Sequence, residues 1–173
     1  MTSEPRQQPT DDQSTVQVSV DPVQFESEAH MRWWYAIRNA DLTRHGCRSL
    51  KKISVDQHRQ WWDECKQLID TRRLYFLRRH HGDYQPQVVG IGRLDKRQGW
   101  TEVTLYVEQP WHRQGIGTKG CKGLVREVRA LGWPAPGVVV NGARVDHLKF
   151  FTGAGFVMKR PGWVQLTLAR GRR

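Results

Sequence analysis

Residues 100–123, WTEVTLYVEQPWHRQGIGTKGCKG, decide how the chain is read. In Trp100 to Gly123 the first part alternates. Val103, Leu105 and Val107 point one way and Glu102, Thr104 and Tyr106 the other, the period of two of a half-buried strand. Gln109-Pro110 stops it, and the basic turn His112-Arg113-Gln114 leads into Gly115-Ile116-Gly117-Thr118. Gly117, Cys121, Leu124, Val125, Val128 and Leu131 then recur about one turn apart, which predicts a helix closed by Gly132 and Pro134. A strand, a glycine turn and a helix present unpaired N–H groups at the positive end of a helix dipole, a device for binding phosphate.

Three readings of the glycines compete. Gly115-x-Gly117-x-x-Gly120 matches the dinucleotide fingerprint. That fingerprint follows the first strand of its unit and needs an acid about 20 residues on. Here Val138-Val139-Val140 ends on Asn141, and too little chain follows Gly120 to complete such a sheet. A P-loop fails because Cys121-Lys122, not Lys-Ser/Thr, follows Gly120. A glycine-rich turn without a ligand is the plain alternative.

The details resemble the acyl-CoA site of the GNAT superfamily of N-acetyltransferases, whose signature is Gln/Arg-x-x-Gly-x-Gly/Ala after an amphipathic strand. It reads His112-Arg113-Gln114-Gly115-Ile116-Gly117 here, with His112 where Gln or Arg is usual. A second signature, Phe-Tyr-x-x-x-Gly-Phe, resembles Phe150-Phe151-Thr152-Gly153-Ala154-Gly155-Phe156. The resemblance spans about residues 14–169. It implies an α/β fold with a mixed, mostly antiparallel, twisted sheet of six or seven strands flanked by helices. It also implies acetyl-CoA as acyl donor and an amine acceptor. The pyrophosphate would lie on Arg113, Gln114, Gly115, Ile116, Gly117 and Thr118, and the acyl group beside the backbone of Tyr106 and Val107. Asn141 resembles, at a longer spacing, an asparagine the family places before its next helix.

Amide transfer needs a neutral amine, donors for the developing oxyanion and a proton for the leaving thiolate. Glu102 is at a position resembling the glutamate that some family members use as a base, with Glu108 in reserve. The alternative for Glu102 is an ion pair with a surface Arg. The family's tyrosine falls at Phe151, which has no proton to give. Water, or His147 one turn earlier, would then serve, unless the domain binds acyl-CoA without fast chemistry.

The rest of the chain fits one domain over residues 15–170, between a polar tail (1–14) expected to be disordered and a basic end (171–173). Three scattered cysteines, Cys47, Cys65 and Cys121, make neither a disulfide scaffold nor a metal site and suit a reducing compartment. No signal peptide or membrane-length apolar run is visible, so a soluble, cytoplasmic protein is expected. Residues 1–29 hold six acids (Glu4, Asp11, Asp12, Asp21, Glu26, Glu28) and one base (Arg6), a net −5. The formal total is +11, so residues 30–173 carry +16. Acyl-CoA accounts for part of that surplus. The remainder points to an acidic substrate, a nucleic acid or simply a solvated face.

Val16, Val18 and Val20 mark a first strand, and Asp21-Pro22 reads as a helix N-cap and first position. That helix runs to about Asn39 with Met31, Trp34, Tyr35 and Arg38 on one face. Ser54-Val55-Asp56-Gln57 is a capping box opening a helix whose stripe is Val55, His58, Trp62, Cys65 and Ile69, widened by Trp61 and Leu68. With Ile37-Arg38-Asn39, the pattern His58-x-x-Trp61-Trp62 resembles the acceptor half of GNAT enzymes acting on amino sugars or ribosomal-protein N-termini. By residue type alone, Trp62 is core and His58 a structural hydrogen-bonder. Strands follow at Leu74–Leu77, Val88–Gly92, Gly137–Val140, Gly155–Val157 and Trp163–Leu168, with a helix marked by Val145, Leu148 and Phe151. Three functions stay open: an N-acetyltransferase for small molecules or proteins, an acyltransferase for an amine borne on nucleic acid, and a binding module without catalysis.

Overall fold

The structure, a computed structural model, describes residues 16–40, 51–141, 145–158 and 163–168. The elements run β1 (Gln17–Pro22), α1 (Glu28–Asn39), α2 (Val55–Gln67), β2 (Arg72–His80), β3 (Gln87–Arg97) and β4 (Trp100–Val107). A short 3-10 turn (Gln109–Trp111), α3 (Ile116–Ala130), β5 (Pro136–Asn141), α4 (Val145–Gly153), β6 (Phe156–Met158) and β7 (Trp163–Leu168) follow. One seven-stranded sheet has the order β1-β2-β3-β4-β5-β7-β6. Every neighbouring pair is antiparallel except the parallel pair β4–β5. This is the mixed, mostly antiparallel sheet that the sequence predicts.

The alternation of β4 assigns the two faces of the sheet. Val103 joins Leu94, Cys121, Leu124, Val125, Val128, Val138 and Phe156 in a core beneath α3 and α4. Tyr106 packs against the opposite cluster, where Met31, Trp34 and Ile37 of α1 and Trp62 and Cys65 of α2 cover Leu74, Phe76 and Ile91. Close approach of α3 to the sheet relies on glycines. A Cβ on Gly120 would stand 2.9 Å from Leu77 Cδ1, and one on Gly92 would stand 2.7 Å from Leu124. Burial pushes the Cys121 thiol up to about 11, so it behaves as a small apolar group.

The capping box forms as predicted: Gln57 N–H donates to Ser54 Oγ (3.1 Å) and Ser54 N–H to Gln57 Oε1 (2.9 Å). Two local readings need correction. Asp21 and Pro22 do not start a helix; they finish β1, opposite Phe76 and Tyr75. β1 is an edge strand, where a proline's missing N–H goes unmissed. The helix starts six residues later, with Ser27 as N-cap accepting from His30 N–H. Ile69 and Leu68 do not extend the buried stripe of α2. The helix stops at Gln67, and the two side chains are 37% and 45% exposed. The tail, residues 41–50 with Cys47, and the basic end lie outside the described residues.

Candidate active site

The turn after β4 carries two residues in the left-handed region. Arg113 has φ 63° and Gly115, the N-cap of α3, has φ 74°. A glycine accepts this without cost, whereas an arginine holds it at a cost of about 1–3 kcal/mol. Such alternation turns successive N–H groups to one side, the geometry of an anion nest. No side chain caps α3, and its first turn contains no acid. The N–H groups of Ile116, Gly117 and Thr118 therefore begin a 15-residue helix with nothing negative among them. His112, where the resemblance expects Gln or Arg, donates from Nε2 to the Val107 carbonyl (2.8 Å). Gln114 closes the turn on the Pro110 carbonyl (3.1 Å). The turn is thus tied to the end of β4. Gly117 faces Phe150 of α4, whose ring lies 3.2 Å from where a Cβ would stand.

Beside this turn the sheet opens. β4 and β5 pair only at Thr101↔Pro136 and Glu102↔Gly137, although both strands continue. Strand N–H groups alternate in direction. Thr101 donates toward β5, to Ala135 (2.9 Å), while Glu108 donates toward β3, to Val89 (2.9 Å). Leu105 and Val107 therefore turn their N–H groups into the opening, and Tyr106 turns its own toward β3. Tyr106 contributes its ring, packed against the α1–α2 cluster.

Glu102 is buried at the far end of β4 and accepts from Arg97 Nε (3.1 Å) and Nη2 (2.8 Å), both on Oε2. Glu108 closes β4 beside the turn, and burial raises its carboxyl above the usual range. Phe151 is half-buried, with its ring edge-on to Phe156 (5.8 Å) and Phe150 (4.9 Å). His147 is exposed on α4. The backbone of Asn141 ends β5 opposite Trp163; its side chain lies outside the described residues.

On the other face, Asn39 joins the end of α1 to the start of α2 through two 3.0 Å bonds with the Ile53 backbone. His58 is fully buried and donates from Nε2 to the Met31 carbonyl (3.1 Å). Burial, opposed by that bond, lowers its pKa, so the ring is neutral. Trp61 and Tyr35 pack against it, and Trp62 donates from its indole to the Phe25 carbonyl (3.0 Å).

The ion pair with a surface arginine, the alternative for Glu102 in the sequence, is present with Arg97, but sequence reasoning missed the ion network around Asp95 beside it. Asp95 lies opposite Glu102 on β3 and is met by Arg72 (2.6 Å), Arg93 (2.8 Å) and Arg97 (3.8 Å). The signal was the alternation Arg93-x-Asp95-x-Arg97, which puts three charges on one strand face.

Among the described residues no group of three or more His, Cys, Asp or Glu could hold a metal, and no helix is long and apolar enough to cross a membrane. No curated protein matches the chain. Solved structures match it at low identity and show the fold. A domain from Methanocaldococcus jannaschii is 13% identical, with TM-score 0.74, covering 88% of this chain and 97% of its own. Spermidine N-acetyltransferase from Vibrio cholerae, in complex with CoA and spermine, is 10% identical, with TM-score 0.68, covering 87% and 92%. The putative acetyltransferase yncA from Salmonella typhimurium, with acetyl-CoA, is 16% identical, with TM-score 0.65, covering 87% and 91%. The model of the acetyltransferase (GNAT) family matches residues 28–141, so this chain belongs to that family and is an acetyl-CoA-dependent N-acetyltransferase.

Proposed function

We propose that the protein moves an acetyl group from acetyl-CoA to a primary amine of a small molecule or protein, by direct attack while donor and acceptor are bound together. The observation that carries this reading is the opening between β4 and β5 next to the left-handed turn. It offers a place for a thioester arm whose pyrophosphate rests on Arg113, Gln114, Gly115, Ile116, Gly117 and Thr118. Asn141, at the end of β5, borders the same opening.

Acetyl-CoA supplies an activated carbonyl with a thiolate leaving group. The residues act around it. Val107 N–H polarises the carbonyl, with its own carbonyl steadied by His112, and Tyr106 lines the acceptor side. Glu102, five residues along β4 from Val107, receives through a chain of water the proton that the amine loses as the C–N bond forms and the C–S bond breaks. The thiolate takes its proton from water or His147, because Phe151 is packed among rings and has none. Glu108, raised by burial, is the alternative base at the other end of the strand.

The test is a panel of primary amines with acetyl-CoA, reading release of free thiol, with calorimetry of CoA binding alongside. Turnover of one amine class and loss of CoA affinity in Gly117→Glu are expected. No turnover, together with unchanged CoA affinity in the variant, would overturn the proposal.

A second reading, an amine carried on nucleic acid, draws on Lys122, Arg126 and Arg129, exposed at helical spacing along α3. It requires RNA or DNA binding that weakens steeply with salt; binding indifferent to salt would remove it.

A further inference from the structure

Arg93, Asp95, Arg97, Glu102 and Thr104 share the sheet face that carries α1 and α2. Those helices cover Leu74, Phe76 and Ile91, and leave Thr104 of the central strand exposed. The ion network borders that uncovered floor. Its inner part is closed. Asp95 is 4% exposed at its side chain, and Arg72 (19%) spans Asp95 Oδ1 and Cys65 Sγ. Its outer part is open, with Arg93 28% and Arg97 44% exposed.

Two features mark the outer part as unfinished. Among the described residues, Arg72, Arg93 and Arg97 face only Asp95 and Glu102, three positive charges to two negative. In addition, Arg93 Nε lies 2.8 Å from Asp95 Oδ2 yet off the hydrogen-bonding axis, so both buried atoms lack a directed bond. Among the described residues, the terminal nitrogens of Arg93 meet no acceptor. A buried polar group left unsatisfied is costly, and a guanidinium fork is matched by a carboxylate. Arg93 pairs across the ladder with Thr104, two residues from Tyr106. Val107, whose N–H marks the acyl position, is one residue further, roughly 10 Å along the strand from Thr104, a span that a long arginine side chain and a small amino acid cover together.

We infer that Arg93, with Arg97 beside it, binds a carboxylate on the acceptor, so that the substrate is an amine bearing a carboxylate, such as an amino acid, and not a polyamine. This rests on the acetyltransferase reading above and names the acceptor class within it. The surplus charge that attracts the carboxylate also disfavours an ammonium ion nearby, which keeps the attacking amine neutral.

The experiment compares amine pairs that differ only in the carboxylate, the common amino acids and their α-amides, with spermine as a third arm. Wild type is expected to favour the carboxylate member by about 10-fold or more in kcat/KM. Arg93→Gln should abolish that ratio by raising the acceptor KM, with CoA affinity unchanged. Arg93→Lys, which keeps the charge, should retain part of it, and melting curves exclude misfolding as the cause. If no pair is acetylated, calorimetry of the CoA-loaded protein with the same compounds reads the preference directly. Equal treatment of acid and amide, a preference for spermine, or an unchanged ratio in Arg93→Gln would each overturn the inference. Loss of CoA binding or of all turnover would instead count against the acetyltransferase reading.

Discussion

The two faces of the sheet carry different kinds of chemistry. Under α3 and α4 the face is apolar, and what it offers a ligand comes from the main chain at its margin. That margin is the left-handed Arg113 and Gly115, the uncapped start of α3 and the inward N–H of Val107. Under α1 and α2 the face is charged and aromatic, and it works through side chains gathered from several elements. Asp95 is reached by arginines from β2 and β3, and His58 is wedged among the rings of Trp61 and Tyr35. A backbone site demands glycine and a turn, whatever the neighbours are. A side-chain site allows many residue sets, so it is where one protein's acceptor can differ from another's.

The sharpest way to break this division is Glu102→Gln. If the acceptor face holds the base, kcat should fall by about 10²-fold or more, with the KM for acetyl-CoA nearly unchanged. The same loss in Glu108→Gln instead would move the base to the turn end of β4. Next in size is Gly117→Glu. Its side chain meets the Phe150 ring and brings a negative charge to the anion end of α3, so CoA affinity should drop by tenfold or more. Unchanged affinity by calorimetry would detach the donor site from the turn.

Phe151→Tyr probes the apolar face. With its ring against Phe150 and Phe156, an added hydroxyl without a partner should cost about 1–3 kcal/mol and leave kcat alone. A faster enzyme would mean that the ring points at the leaving sulfur and that the missing proton limits the rate. The smallest effect expected is the pH dependence of His58. Its folded pKa lies below the ordinary 6.5 because of burial, so below 6.5 the unfolded chain binds the extra proton. The stability contributed by neutral His58 is present above pH 6.5 and fades as pH falls through the folded value. Melting temperatures at pH 7.5 and 5.5 should differ by less in His58→Gln than in wild type; equal differences would mean that other groups set the acid limb.

Much of the frame was legible because it is written in local signals. The capping box at Ser54, the alternation of β4 and the glycines of the turn each act within a few residues. Asp21-Pro22 misled because the same two residues suit a helix start and the end of an edge strand. Pairing with Phe76 and Tyr75, over 50 residues away, settled which. Ile69 misled because its spacing continued a helix that the turn into β2 had already ended.

By itself the sequence determined the strand–turn–helix, the order of elements and, through Gly115, the glycine turn that opens α3. These follow from backbone stereochemistry, which acts between neighbours in the chain. Only the tertiary structure decided that β4 and β5 part after Glu102, and that Val107 and not Tyr106 turns its N–H into the opening. The meeting of Arg72, Arg93 and Arg97 around Asp95 and Glu102 was decided there too. Those facts depend on strand register, and register is fixed only when distant segments bury their apolar faces together.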